Sequence, residues 1–150
     1  MYKILIISDS NKHFDEAIGE YVKRLSKTCE IIKLKPIKNG SEKQIIEKET
    51  SEVIKKLEKL KWFKVVLNPV WKSLNTKKLF NLIEEKKQTN PQIIFIIGWA
   101  NWLNYNSLKN YIDFNLNLWE MTMPHSLALL VIIEQVYRLE MIKKGTSYDK

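Results

Sequence analysis

The chain is expected to fold as one α/β domain, a parallel sheet with helices on both faces. Short runs rich in Ile and Val alternate with longer segments whose apolar residues recur at three- and four-residue spacing. The short runs are apolar almost throughout, as strands buried on both faces are. At 150 residues, 45% hydrophobic and 28% charged, the chain has the length and composition for one domain with its own core.

The elements follow in order. "YKILIIS" (Tyr2 to Ser8) is a first strand. His13 to Ser26 carries Phe14, Ala17, Ile18, Tyr21, Val22 and Leu25 on one helical stripe. "CEIIKLK" from Cys29 is a second strand, and Ser41 to Lys61 a long charged helix with Ile45, Ile46, Val53, Ile54, Leu57 and Leu60 inward. "FKVVLN" (Phe63 to Asn68) is a third strand, followed by a helix from Thr76 to Lys87. "QIIFII" from Gln92 is the fourth, ending on Gly98. A short helix from Ser107 to Tyr111 leads to a last strand near Phe114 to Leu118. Pro124 is expected in the first position of a final helix reaching Lys144, and Gly145 stops it.

Ligands of such sheets bind beyond the carboxyl ends of the strands. Those ends are expected at Asn68–Lys72, Gly98–Leu103 and Trp119–Pro124. The final helix is apolar on nearly every side from Leu127 to Ile133, more than a surface helix needs. A homodimer is therefore expected to cover it, with Leu130 and Ile133 as its most diagnostic positions. Glu134 and Arg138 stand in the favourable order for an ion pair one turn apart.

The formal net charge of +8 suggests an anionic partner, RNA first. Composition offers a second source for it. Lysine abounds while Arg24 and Arg138 are the only arginines, as an AU-rich genome would write. The longest apolar run, Leu127 to Ile133, is too short for a membrane span, and "MYKILIISDS" lacks the cationic start of a signal peptide. Cys29 is the single cysteine, so no intrachain disulfide and no cysteine metal site is expected, which fits the cytoplasm. His13 and His125 form no ligand cluster, and no metal is expected. Phosphate-loop, nucleophile-elbow, zinc-protease and dinucleotide motifs are all missing.

The C-terminal third carries more. "LNLWEMTMPHSLALLVIIEQVYRLEMIKKGTSYDK" resembles the end of the RlmH family of small SPOUT-class methyltransferases. The shared residues are Leu118, Met121, Thr122, Pro124, His125, Glu134, Gln135, Tyr137, Arg138 and Tyr148. Phe95, Ile97 and Gly98 resemble the family's strand-four motif; Leu67, Lys72 and Thr76 resemble its strand-three run. Lys12 and "YVKRL" (Tyr21 to Leu25) resemble its front. The resemblance implies a deep C-terminal trefoil knot, a rare departure from unknotted topology. It implies a cytoplasmic homodimer that binds S-adenosyl-L-methionine and methylates a pseudouridine ring nitrogen of 23S rRNA in the assembled ribosome. It assigns the cofactor to Leu67, Gly98, Trp99, Trp119, Glu120, Met121, Thr122, Met123 and Pro124. It makes His125 and Tyr148 candidates for substrate positioning, and Arg138 for phosphate or uracil-carbonyl contact. Rival expectations are a ribosome- or RNA-binding homologue that has lost catalysis, and a different, flavodoxin-like nucleotide-binding domain.

The departures from the pattern concentrate on tryptophan. In "IIGWANWL", Trp99 and Trp102 stand where the family has glycine, and Trp62, Trp71 and Trp119 also fall where glycine would serve. The chain has 4 glycines and 5 tryptophans, against about ten glycines at average usage. One explanation is a lineage that reads UGA as glycine, its gene translated with UGA as tryptophan. A single UGG among the five codons would exclude it. Asn68, Leu129 and Asp149 replace a usual Asp, Arg and His and cannot arise that way. Loss of the tail His weakens any mechanism that would use it.

Overall fold

The computed structural model describes residues 1–10, 12–98, 103–119 and 121–149. Strands β1 (Tyr2–Ile7), β2 (Cys29–Leu34), β3 (Phe63–Leu67), β4 (Ile93–Ile97) and β5 (Phe114–Leu116) form one parallel sheet, ordered β2-β1-β4-β3-β5. Helices α1 (Asp15–Leu25), α2 (Glu42–Glu58), α3 (Thr76–Thr89), α4 (Tyr105–Leu108) and α5 (His125–Lys143) cover it.

Side chains alternate across each strand, so β1 to β4 each feed two cores. Tyr2, Ile4, Ile6, Val65, Leu67, Ile93, Phe95 and Ile97 face α1, α3 and α5. Leu5, Ile7, Val66, Ile94 and Ile96 face α2 and α4. The order brings β3, β4 and β5 side by side, and with them the three chain segments leaving their carboxyl ends.

Caps set the boundaries. The Ser41 hydroxyl accepts from Gln44 N while the Gln44 side chain accepts from Ser41 N, a reciprocal pair that starts α2. Asn75 and Asn104 cap α3 and α4 in the same spirit, each accepting from the backbone N–H three residues on. The Asn104 cap starts α4 at Tyr105, two residues before the expected start at Ser107. Pro124 occupies the N-cap of α5 rather than its first turn: its backbone is extended (ψ 145°) and its carbonyl accepts from Ala128 N at 2.9 Å. Gly145 stops α5 as expected, at φ +68°, a conformation L side chains rarely adopt.

The helix α5 packs one side tightly against the sheet and α1. Ala128, Leu129, Ile132, Ile133, Val136 and Leu139 are buried in the core against the sheet and α1. Ile133 is 0% exposed and cannot be a dimer residue, which corrects the expectation. A helix apolar all round carries no stripe to say which side meets the sheet. The partly exposed apolar side is Leu127, Leu130 and Val131.

Cys29 is buried, and burial pushes its thiol up to about 12, the behaviour of a packing residue. Trp62 is also buried, beneath the Lys3 ammonium 5.0 Å from its ring, and fills the second core rather than a bare turn. Among the described residues, Ser26 is the one non-glycine with positive φ. The backbones at Trp62, Trp71 and Trp119 thus have no conformational need for glycine. Trp99 and Trp102 lie outside the described residues.

Candidate active site

A cleft of about 310 Å³ opens at the carboxyl ends of β3, β4 and β5, within the size range of small-molecule sites. Its floor is the strand ends themselves: Leu67, Ile97 and Leu116, with Ala128 of α5. One wall is Asn68 and Pro69 after β3. The other is the segment after β5, from Asn117 to His125. Leu67, Gly98, Trp119, Met121, Thr122, Met123, Pro124 and His125, all assigned from the sequence, line this one cleft. Trp99 and Glu120 lie outside the described residues.

Gly98 ends β4 where the chain passes close to itself. A Cβ there would come within 3.3 Å of Leu103 Cγ and 3.4 Å of Leu103 N, tighter than ordinary packing. The return of this segment is anchored from α2: Asn104 N donates to the Thr50 hydroxyl at 2.8 Å, and that hydroxyl donates to Ile46 O. Thr50 is buried, so this bond has little competition from water. The turn after β3 is shaped by Asn68, whose side-chain oxygen accepts from Val70 N at 3.2 Å.

The cleft is apolar with a few polar groups, and no Lys or Arg lines it among the described residues. In a chain of net charge +8 that is a selective arrangement. A ligand carrying a positive centre meets no like charge there. A methyl-sulfonium cofactor with a flat adenosine fits these residues. Trp119 lines the cleft 56% exposed and leaves it open.

Two site candidates lie elsewhere. Arg138 is thirteen residues along α5 from His125, about 20 Å at helical rise. It donates to the Glu134 carboxylate from Nη2 at 2.6 Å and from Nε at 3.0 Å, and to the Tyr148 carbonyl at 3.2 Å. Tyr148 lies under the Arg138 guanidinium (4.8 Å) and edge-on to Tyr137 (5.0 Å). Its phenol is raised to about 12, chiefly by a hydrogen bond to Tyr21 and by burial, so it is no base at neutral pH. Tyr21 and Arg24 pack on the same Tyr137 ring, tying α1 to the C-terminal tail.

Asn117 was not singled out by the sequence. It is 4% exposed, and its side chain makes three backbone hydrogen bonds: Nδ2 donates to Pro69 O and Trp71 O, and Oδ1 accepts from Trp119 N, each at 3.0 Å. An asparagine inside "FNLNLW" was the available signal, because a buried amide requires partners.

A family model described as "Predicted SPOUT methyltransferase" matches residues 1–149. The class this defines is a SPOUT methyltransferase. Three relatives carry the name ribosomal RNA large subunit methyltransferase H. That of Fusobacterium nucleatum is 33% identical over 144 residues, covering 93% of this chain and 92% of that protein. That of Mycoplasma mycoides is 33% identical over 153 residues (99% and 98%), and that of Prochlorococcus marinus strain NATL2A 36% over 151 (99% and 95%). The chain belongs to this family of SPOUT methyltransferases, ribosomal RNA large subunit methyltransferase H.

Proposed function

We propose that the chain methylates a ring nitrogen of a pseudouridine in 23S rRNA of the assembled ribosome, using S-adenosyl-L-methionine held in the strand-end cleft. The observation that carries this reading is the meeting of the segments after β3, β4 and β5 around one apolar cleft free of Lys and Arg among its described lining residues. The cofactor, when bound, supplies a methyl group on a sulfonium, whose transfer is mostly a matter of alignment and water exclusion. Leu67, Ile97 and Leu116 exclude water below, and Met121 to Pro124 enclose it from the side. His125, first residue of α5, stands at the cleft to position the target ring. The same crowding of loops supports a trefoil knot in the C-terminal third.

Arg138 sits about 20 Å along α5 from His125, and Tyr148 packs its ring 4.8 Å from the Arg138 guanidinium. They and His125 serve one reaction only if a second copy brings its tail to this cleft. That requirement, with the partly exposed Leu127, Leu130 and Val131, supports a homodimer built on α5. Lys72, Lys77 and Lys78 are exposed on the loop after β3 and the first turn of α3, placed to meet RNA phosphates. The reading carries with it a cytoplasmic place of work. Calorimetric titration with S-adenosyl-L-methionine tests the cleft: saturable binding of the cofactor by the dimer is expected, and no binding would exclude the reading.

A further inference from the structure

We infer that Asn117 is a positioning residue that sets the width of the cleft by clamping its two walls together. This rests on the reading of the cleft as the methyl-donor site. The β3 and β5 segments run on side by side past the strands: Asn68 N donates to Leu116 O at 2.9 Å, and Ser73 and Asn117 form an isolated parallel bridge. The Asn117 side chain lies between them. Its amide nitrogen spends both hydrogens on the β3 wall, at Pro69 O and Trp71 O. Its oxygen takes the one backbone N–H of the β5 wall that points at it, from Trp119.

The network fixes which end of the amide is which. Turned over, the oxygen would face two carbonyl oxygens and the NH2 group would face an N–H, with no bond made. All three polar functions of the side chain are thus used, in a place that is 4% exposed. Pro69 and Trp119 both line the cleft, so the clamp joins residues on its opposite sides. A glutamine is too long for the span and a leucine offers no bond. Aspartate has the same shape, still accepts from Trp119 N, and as a carboxylate repels both carbonyls.

The substitution Asn117→Asp therefore cuts one side of the clamp and spares the other. At pH 8 it is expected to weaken S-adenosyl-L-methionine binding on the order of tenfold or more relative to the parent chain, measured by calorimetry on folded protein. On acidification the carboxyl gains a proton and can donate to one carbonyl again. The ratio of variant to parent Kd should then fall toward one, a recovery that simple loosening of the fold does not produce. Hydrogen exchange without cofactor supplies the second readout: the Trp119 amide should stay protected in Asn117→Asp and lose protection in Asn117→Leu. If Asn117→Asp does not fold, Asn117→Ser, with one donor in place of two, is titrated instead and should also bind on the order of tenfold more weakly. Binding within twofold of the parent by the folded variant at pH 8 overturns the clamp alone. A parent chain that binds no cofactor overturns the reading of the cleft.

Discussion

Replacing Leu130 with glutamate is expected to split the proposed homodimer and to abolish methyl transfer with it. Leu130 lies on the side of α5 that its own protomer leaves partly uncovered, one turn from Leu127 and beside Val131. In the proposed dimer this side is buried again. The change removes the burial of one leucine and places an unpaired carboxylate in an apolar contact, together roughly 4 kcal/mol or about a thousandfold in association. The chain itself should stay folded, because Glu suits a helix nearly as well as Leu and Leu130 only packs, partly exposed, against the edge of the core. Sedimentation should show a monomer with an unchanged helical spectrum. Activity should fall because each cleft has lost the partner's Arg138 and Tyr148. A folded variant that remains dimeric would remove α5 from the interface. A monomer with full activity would show that each cleft is complete alone.

Replacing Lys87 with methionine is expected to cost about 3 kcal/mol of stability, the scale for breaking a mostly buried ion pair from one side. The Lys87 ammonium donates to Tyr2 Oη at 2.6 Å and to Glu140 Oε1 at 3.1 Å, and stands 4.2 Å from the Tyr2 ring centre. Glu84 lies 3.4 Å away, and the side chains of Lys87 and Glu140 are only 12% and 18% exposed. Methionine keeps the packing of the stem and takes the ammonium from the largely buried Glu140 carboxylate, while Glu84 keeps Lys143 at 3.2 Å. At this chain length the loss corresponds to roughly 6–12 °C in Tm at neutral pH. Burial alone would raise the Glu140 carboxyl, but the charge and hydrogen bond of Lys87 outweigh it and hold it below its usual value. A depressed carboxyl stabilises the fold above its unfolded value, about 4.3, and that contribution is lost as pH falls through the folded value. The gap in Tm between parent and variant should therefore narrow at pH 3. An equal gap at pH 7 and pH 3 would mean that the methionine acts by packing rather than by charge.

The sheet was legible because parallel strands leave a plain mark: runs of Ile, Val and Leu with helical stripes between. Boundaries moved by a residue or a few where caps decided them, as at Asn104 and Pro124, since capping is a local hydrogen bond and not a pattern. The sidedness of α5 was not legible. Its apolar residues point all ways, so Ile133 could not be told from Leu130 until the sheet was in place. The cleft was legible in outline from the rule that ligands bind past strand ends, and its lining followed from the family motifs. What the motifs hid was distance. His125 and Arg138 belong to one signature yet stand several helical turns apart. Asn117 stayed hidden because a polar residue at a strand end reads as solvated until its three partners are seen. Trp62 does stand at a bend between α2 and β3, where glycine would serve, but its ring fills the core.

The central claim is that this cleft delivers a methyl group to RNA presented by a ribosome. Phosphate contacts from scattered lysines carry little sequence information. Specificity must come from where the ribosome offers the base. The direct measurement is transfer of tritium from S-adenosyl-L-methionine to intact ribosomes lacking the modification, beside transfer to naked 23S rRNA fragments. Labelling of a pseudouridine in the ribosome, with little or none in the fragments, is the expected result. Labelling of neither would contradict the claim of methyl transfer to ribosomal RNA, and equal labelling of both would mean that the local RNA sequence is read directly.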